Sequence, residues 1–124
     1  MKTRESAENY LETIFILAES GKTVRSIDIA NELEFSKPSV SVAMKNLRTS
    51  GHIFMDADGH ITLTESGLAI GKSMYERHML ISDWLISLGV EKKIAQDDAC
   101  KMEHSMSEQS FSAIRKYLEK TQII

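Results

Sequence analysis

The stretch DACKMEHSMS holds the only cysteine of the chain, with a Glu-His pair three and four residues beyond it. On a helix, positions i, i+3 and i+4 share a face. The spacing therefore predicts that Cys100, Glu103 and His104 point the same way. A thiolate, a carboxylate and an imidazole together make a metal-ligand set. The alternative is a buried thiol with a solvated charged pair beside it. Further donors stand elsewhere: His78, 22 residues before Cys100, and Asn9 with Glu12, three apart near the start. Each alone reads as an ordinary residue, His78 as a partly buried, hydrogen-bonded histidine. If the helices that carry them pack together, the combination suits a transition metal. Its soft donors lean toward Fe(II), Co(II), Ni(II) or Zn(II) over Mg(II) or Ca(II).

These donors need elements to position them. A helix is predicted from about residue 6 to 18, with Tyr10, Leu11, Ile14, Phe15 and Leu17 as its apolar stripe and Gly21 as its stop. A second helix is predicted to start with Ser26 as N-cap, with Asp28 in its first turn. Ser36 can cap a third, which takes Pro38 in its first turn, buries Val40, Met44 and Leu47, and stops at Gly51. The run HIFMDADGHITLT alternates around turn chemistry and predicts a β-hairpin. A long helix follows Thr64 to about Leu88. Gly67 and Gly71 weaken it but permit close approach of another helix. The DACKMEH helix and a last helix near 107–121 complete the chain.

Helix, turn, helix and hairpin, in that order, describe a winged helix-turn-helix, whose second helix enters the major groove of DNA. From Lys37 to Arg48 there are three bases (Lys37, Lys45, Arg48) and no acid. Opposite the apolar face lie Ser39, Val42 and Asn46, flanked by Lys37, Ser41, Lys45 and Arg48. The bases suit phosphates, which supply affinity without sequence information. Ser, Asn and an apolar group can read base edges, Val42 through a thymine methyl. A solvated polar face on a helical bundle is the competing reading.

The 124 residues allow one ordinary domain or two very small ones, and 42% hydrophobic with 27% charged residues is a globular composition. The formal net charge of −3 does not advertise nucleic-acid binding, although it says little about one basic face. No run approaches the ~18 apolar residues of a membrane span. The start carries no signal-peptide pattern, and one cysteine excludes an internal disulfide. A soluble, reducing, cytoplasmic setting is expected.

Four stretches, ENYLETIFIL, DIANELEFSKPSVSVAMKNLRTSGHI, ITLTESGLAIGKSMYERH and LGVEKKIAQDDACKMEHSMS, resemble the DtxR/MntR family of metal-dependent transcriptional repressors. The family pattern A-C-x-x-E-H-x-x-S is matched by Ala99, Cys100, Glu103, His104 and Ser107. The resemblance implies a mainly α fold. A winged helix-turn-helix DNA-binding domain spans residues 1–63, and an α-helical dimerisation and metal-binding domain spans 64–124. It implies a homodimer that represses metal-uptake genes from a double-stranded operator, with neither a membrane nor a small-molecule substrate as partner. The implied ligands are His78, Cys100, Glu103 and His104, with Glu12 as in manganese-type members. The implied effector is Fe(II) or Mn(II), with Zn(II), Co(II) or Ni(II) able to substitute in vitro. Ser36, Pro38 and Ser41 match the family in the reading helix.

Some positions depart from the pattern. Asn9 stands where iron-type members have methionine and manganese-type members aspartate. Ser82 and Gln96 stand where the iron-type ancillary site has a carboxylate and a histidine, which leaves His78 for the main cluster. Cys100 is an iron-type feature, so the site is a hybrid. Val42 replaces an iron-type glutamine, which points to a different operator. The resemblance is to a short form, expected to end without the SH3-like domain of longer members. In this scheme metal fixes the reading units relative to the dimer axis, so that the two recognition helices meet major grooves about 34 Å apart. A rival is a winged-helix regulator without metal, with Cys100 as thiol sensor or core residue. An enzyme is not expected, since no H-E-x-x-H or similar signature occurs.

Overall fold

A computed structural model describes residues 2–121, the side chains from residue 5 onward. The order is α1 (Lys2–Glu19), α2 (Ser26–Leu33), α3 (Lys37–Thr49), β1 (Ile53–Met55), β2 (Ile61–Leu63), α4 (Glu65–Ser87), α5 (Lys92–Met102) and α6 (Glu108–Lys120). The mainly α architecture with a small hairpin is the one expected. The chain forms two compact units, Met1–Ser73 and Met74–Ile124, which divide within α4.

In the first unit, α1, α2 and α3 surround one core. Leu11, Ile14, Ile29, Val40 and Met44 meet there with Ile53 and Ile61 of the hairpin. The apolar stripes predicted for α1 and α3 face inward. Helix α1 starts earlier than expected, because Lys-Thr-Arg-Glu-Ser contains no residue that stops a helix. Helix α2 is capped by Arg25, not Ser26. Val24 bridges to Ile61 of the hairpin and is held extended, so the helix can begin only after Arg25. The Arg25 N–H donates to Asp28 Oδ2 at 2.9 Å. Ser36 caps α3 as predicted, its Oγ accepting from the Ser39 N–H at 3.3 Å.

The hairpin pairs antiparallel, Ile53 with Leu63 and Met55 with Ile61. Asp56 organises its turn by accepting the N–H groups of Asp58 and His60, each at 2.9 Å. The start of α4 belongs to this unit. A Cβ at Gly71 would lie 2.6 Å from the Leu11 carbonyl oxygen, and one at Gly67 2.0 Å from that of His52. Both glycines therefore mark places where backbone meets helix with no room for a side chain.

In the second unit, Leu80, Phe111 and Leu118 form a smaller core with Trp84, Met106 and Ile114 against it. Ser107 caps α6, its Oγ accepting from the Ser110 N–H at 3.0 Å. Among the described residues, no helix is long and apolar enough to cross a membrane.

Candidate metal centre and nucleic-acid interface

In the second unit, α4 presents His78 toward Cys100, on the last turn of α5, and Glu103, the residue that caps it. The Cys100 sulfur lies 3.7 Å from His78 Nδ1. Glu103 Oε1 lies 3.4 Å from the same nitrogen. One ligand atom from each of the three falls within 4.8 Å of the others. Donors about 2.0–2.3 Å from a shared ion lie no more than about 4.6 Å apart, so small adjustments would close the set on a cation. Glu103 is only 1% exposed, and its Oε2 has no hydrogen-bond partner among the described residues. A buried carboxylate oxygen left unpaired is costly unless a cation or donor joins it. The donor set and this orphaned oxygen fit a transition metal.

The electrostatics agree. The hydrogen bond from His78 to the Cys100 sulfur, and then that to the Glu103 carboxylate, push the imidazole pKa up to about 10, against an opposing desolvation. A proton on Nδ1 thus sits where two electron-rich groups converge.

The spacing predicts His104 on one helical face with Cys100 and Glu103. Helix α5 ends at Met102, and His104 lies in the turn beyond it. Glu103 keeps helical backbone angles, so its spacing from Cys100 holds, and the Ser105 N–H donates to the Met102 carbonyl at 3.1 Å in the turn that follows. His104 brings a ring nitrogen within 4.8 Å of a Glu103 oxygen. Glu103 is thus the carboxylate that both His78 and His104 approach. On α1, in the first unit, Glu12 is buried and Asn9 half-buried, three residues apart. The Asn9 carbonyl accepts from Thr13 Oγ1 at 2.9 Å.

The other site belongs to the first unit. Ser36, Lys37, Pro38, Ser39, Ser41, Val42, Lys45, Asn46 and Arg48 are all exposed, while Val40, Met44 and Leu47 are buried. Val42 is 61% exposed on this face. A shallow cleft of about 280 Å³ opens beside this face, lined by Ser26, Ile27, Lys37 and Ser41. The arrangement offers a polar, acid-free helix for a groove and bases for phosphates.

Residues 2–61 match the family model described as the iron-dependent repressor N-terminal DNA-binding domain. Residues 64–123 match the iron-dependent repressor metal-binding and dimerisation domain. The chain belongs to the DtxR/MntR family of metal-dependent transcriptional repressors. It is similar to the transcriptional regulator MntR of Escherichia coli O157:H7, 35% identical over 117 residues that cover 94% of this chain and 76% of that protein. It is also similar to the iron-dependent repressor IdeR of Mycobacterium tuberculosis, 33% identical over 105 residues, 84% of this chain and 46% of that one. Among solved structures, a manganese-dependent transcriptional repressor in complex with manganese superposes with a TM-score of 0.83 at 28% identity, covering 91% of this chain and 52% of that one. The chain thus spans about half the length of that structure.

Three features of this DtxR/MntR-family chain escaped the sequence reading. Ser26 and Ile27, at the start of α2, share a cleft with the reading helix. Arg25 Nη2 lies 2.9 Å from His60 Nε2, and His60 Nδ1 lies 3.1 Å from Asp56 Oδ2, which ties the start of α2 to the hairpin turn. Arg77 is buried beside the ligand histidine. Its signal was present: it stands three residues after Met74 and four before Ile81, so a cation interrupts the apolar stripe.

Proposed function

We propose that this chain represses transcription by binding operator DNA when a divalent transition metal, Fe(II) or Mn(II), is held by His78, Cys100, Glu103 and His104, joined by Glu12 and Asn9. The observation that carries the reading is the convergence of His78, Cys100 and the buried, half-unpaired Glu103 carboxylate. When bound, the ion supplies the positive charge that these donors require. Cys100 and His78 must give up protons to become donors, and Glu103 is already placed against both histidines. The names of the similar proteins, a manganese complex and an iron-dependent repressor among them, favour these two metals.

Residues 1–63 form the proposed DNA-reading domain. Lys37, Lys45 and Arg48 contact phosphates, and Ser39, Val42 and Asn46 face base edges, with Ser36, Pro38 and Ser41 at the helix start. Residues 64–124 form the proposed dimerisation and sensing domain. Exposed Ile86, Leu88 and Ile94 supply apolar surface for a homodimer. The proposed setting is the cytoplasm and the proposed role regulatory, not enzymatic.

The test is an anaerobic DNA-binding titration on a metal-uptake promoter with Fe(II), Mn(II), Zn(II) or no metal. Tighter binding with one metal is expected and identifies the effector. Equal affinity in all cases, metal-free included, would remove metal from the mechanism.

A further inference from the structure

Arg77 and His78 are neighbours on α4, so their side chains leave the helix about 100° apart. His78 turns to Cys100 and Glu103. Arg77 turns to the segment that follows α5. Its Nη1 donates to the Glu103 carbonyl at 3.0 Å and to the Met106 carbonyl at 2.7 Å. Its Nη2 donates to Glu108 Oε2 at 2.8 Å. The guanidinium lies 5.0 Å from the centroid of the Phe111 ring. Arg77 is 6% exposed.

A buried guanidinium is rare unless it is paired and hydrogen-bonded. Here it holds a helix end. The Glu103 carbonyl is among the last carbonyls of α5, which have no donor within the helix. The Met106 carbonyl lies in the turn that leads to α6. The Nη1 group therefore pins both ends of the turn containing His104, while Nη2 holds Glu108 beyond it, all from the residue adjacent to His78. An ammonium group has the charge but not the fixed fork.

Resting on the metal-dependent reading above, we propose that Arg77 is a positioning residue of the metal centre: its grip on the Glu103 and Met106 carbonyls sets the Glu103 carboxylate and His104 against His78. The guanidinium touches no reacting atom. It acts through the backbone of a ligand, as outer-shell groups orient ligands at metal sites.

The test is a Co(II) titration of the full chain under anaerobic conditions, read by ligand-field and thiolate charge-transfer absorption, for wild type, Arg77→Met, Arg77→Lys and Glu108→Gln. Thermal melts of the metal-free proteins run alongside. Arg77→Met is expected to weaken Co(II) by about 10–100-fold and to shift the ligand-field bands. Arg77→Lys is expected to recover part of the affinity but not the wild-type spectrum. Glu108 lies at the exposed end of the ion pair, so Glu108→Gln should fold and should weaken Co(II) less than Arg77→Met. Lower melting with wild-type affinity and spectrum in the folded variants would overturn the proposal and leave Arg77 as an anchor of α6. If Arg77→Met does not fold, Arg77→Lys and Glu108→Gln decide by the same criterion. Failure of the wild type to bind Co(II) would instead refute the metal-dependent reading, and the role of Arg77 with it.

Discussion

His78 Nδ1 faces the Cys100 sulfur at 3.7 Å and Glu103 Oε1 at 3.4 Å, and both retain a proton on the ring. Its pKa, raised to about 10, has two opposite consequences. In the metal-free protein the raised value is a stabilising contribution. It is fully present below the unfolded pKa near 6.5 and is lost as pH rises through about 10. Metal-free protein should therefore lose stability between pH 6.5 and 10, and His78→Gln should flatten that slope in denaturant melts. For metal the sign reverses, because the same proton must leave before the nitrogen can coordinate. Release of this one proton alone should tighten metal about tenfold per pH unit below pH 10, as measured by competition with a chelator of known affinity. A pH-independent metal affinity would exclude His78 as a ligand.

At the scale of elements, local signals located most of the fold. Ser36 and Pro38 announced the start of α3, alternation announced the hairpin, and apolar spacing gave the inner faces of α1 and α3. The misses have long-range causes. Ser26 did not cap α2 because Val24 pairs with Ile61, a residue far along the chain. Arg77 was missed as a grip on the turn after α5 because its carbonyl partner Glu103 lies 26 residues away. The spacing of Cys100 and Glu103 on one helix was legible in the sequence, whereas His78, 22 residues earlier, reaches them only through packing that spacing alone does not fix. The unpaired Glu103 oxygen was not legible either, since burial depends on packing. Gly71 shows how packing can reverse a local rule. In an exposed helix interior, Gly→Ala stabilises by about 1 kcal/mol. Here the new Cβ would meet the Leu11 carbonyl oxygen at 2.6 Å, a backbone atom that cannot swing aside. Gly71→Ala is expected to lower the denaturation midpoint despite its better helix propensity. A raised midpoint would show that α1 and α4 can separate at no cost.

For the whole molecule, a net charge of −3 must approach a polyanion through one acid-free face. Affinity should then rest on few phosphate contacts and fall only modestly with salt, since the slope scales with the number of phosphates neutralised. Lys45→Ala is expected to weaken binding uniformly across DNA sequences and to reduce the slope of log K against log salt by about 1. Asn46→Ala is expected to alter base preference while leaving that slope unchanged. Fluorescence anisotropy on operator and scrambled duplexes at several salt concentrations separates the two.

Cys100 is the chain's only cysteine, and it is exposed. Every molecule thus carries one addressable sulfur, placed at the centre of the proposed sensor. An alkylating reagent can add a single mass increment, and no second thiol confuses the count. Coordinated sulfur reacts slowly, so alkylation half-life measured by intact-mass spectrometry should lengthen as metal is titrated in. The same mass measurement could follow occupancy inside a living cell, where the repressor would act as its own dosimeter.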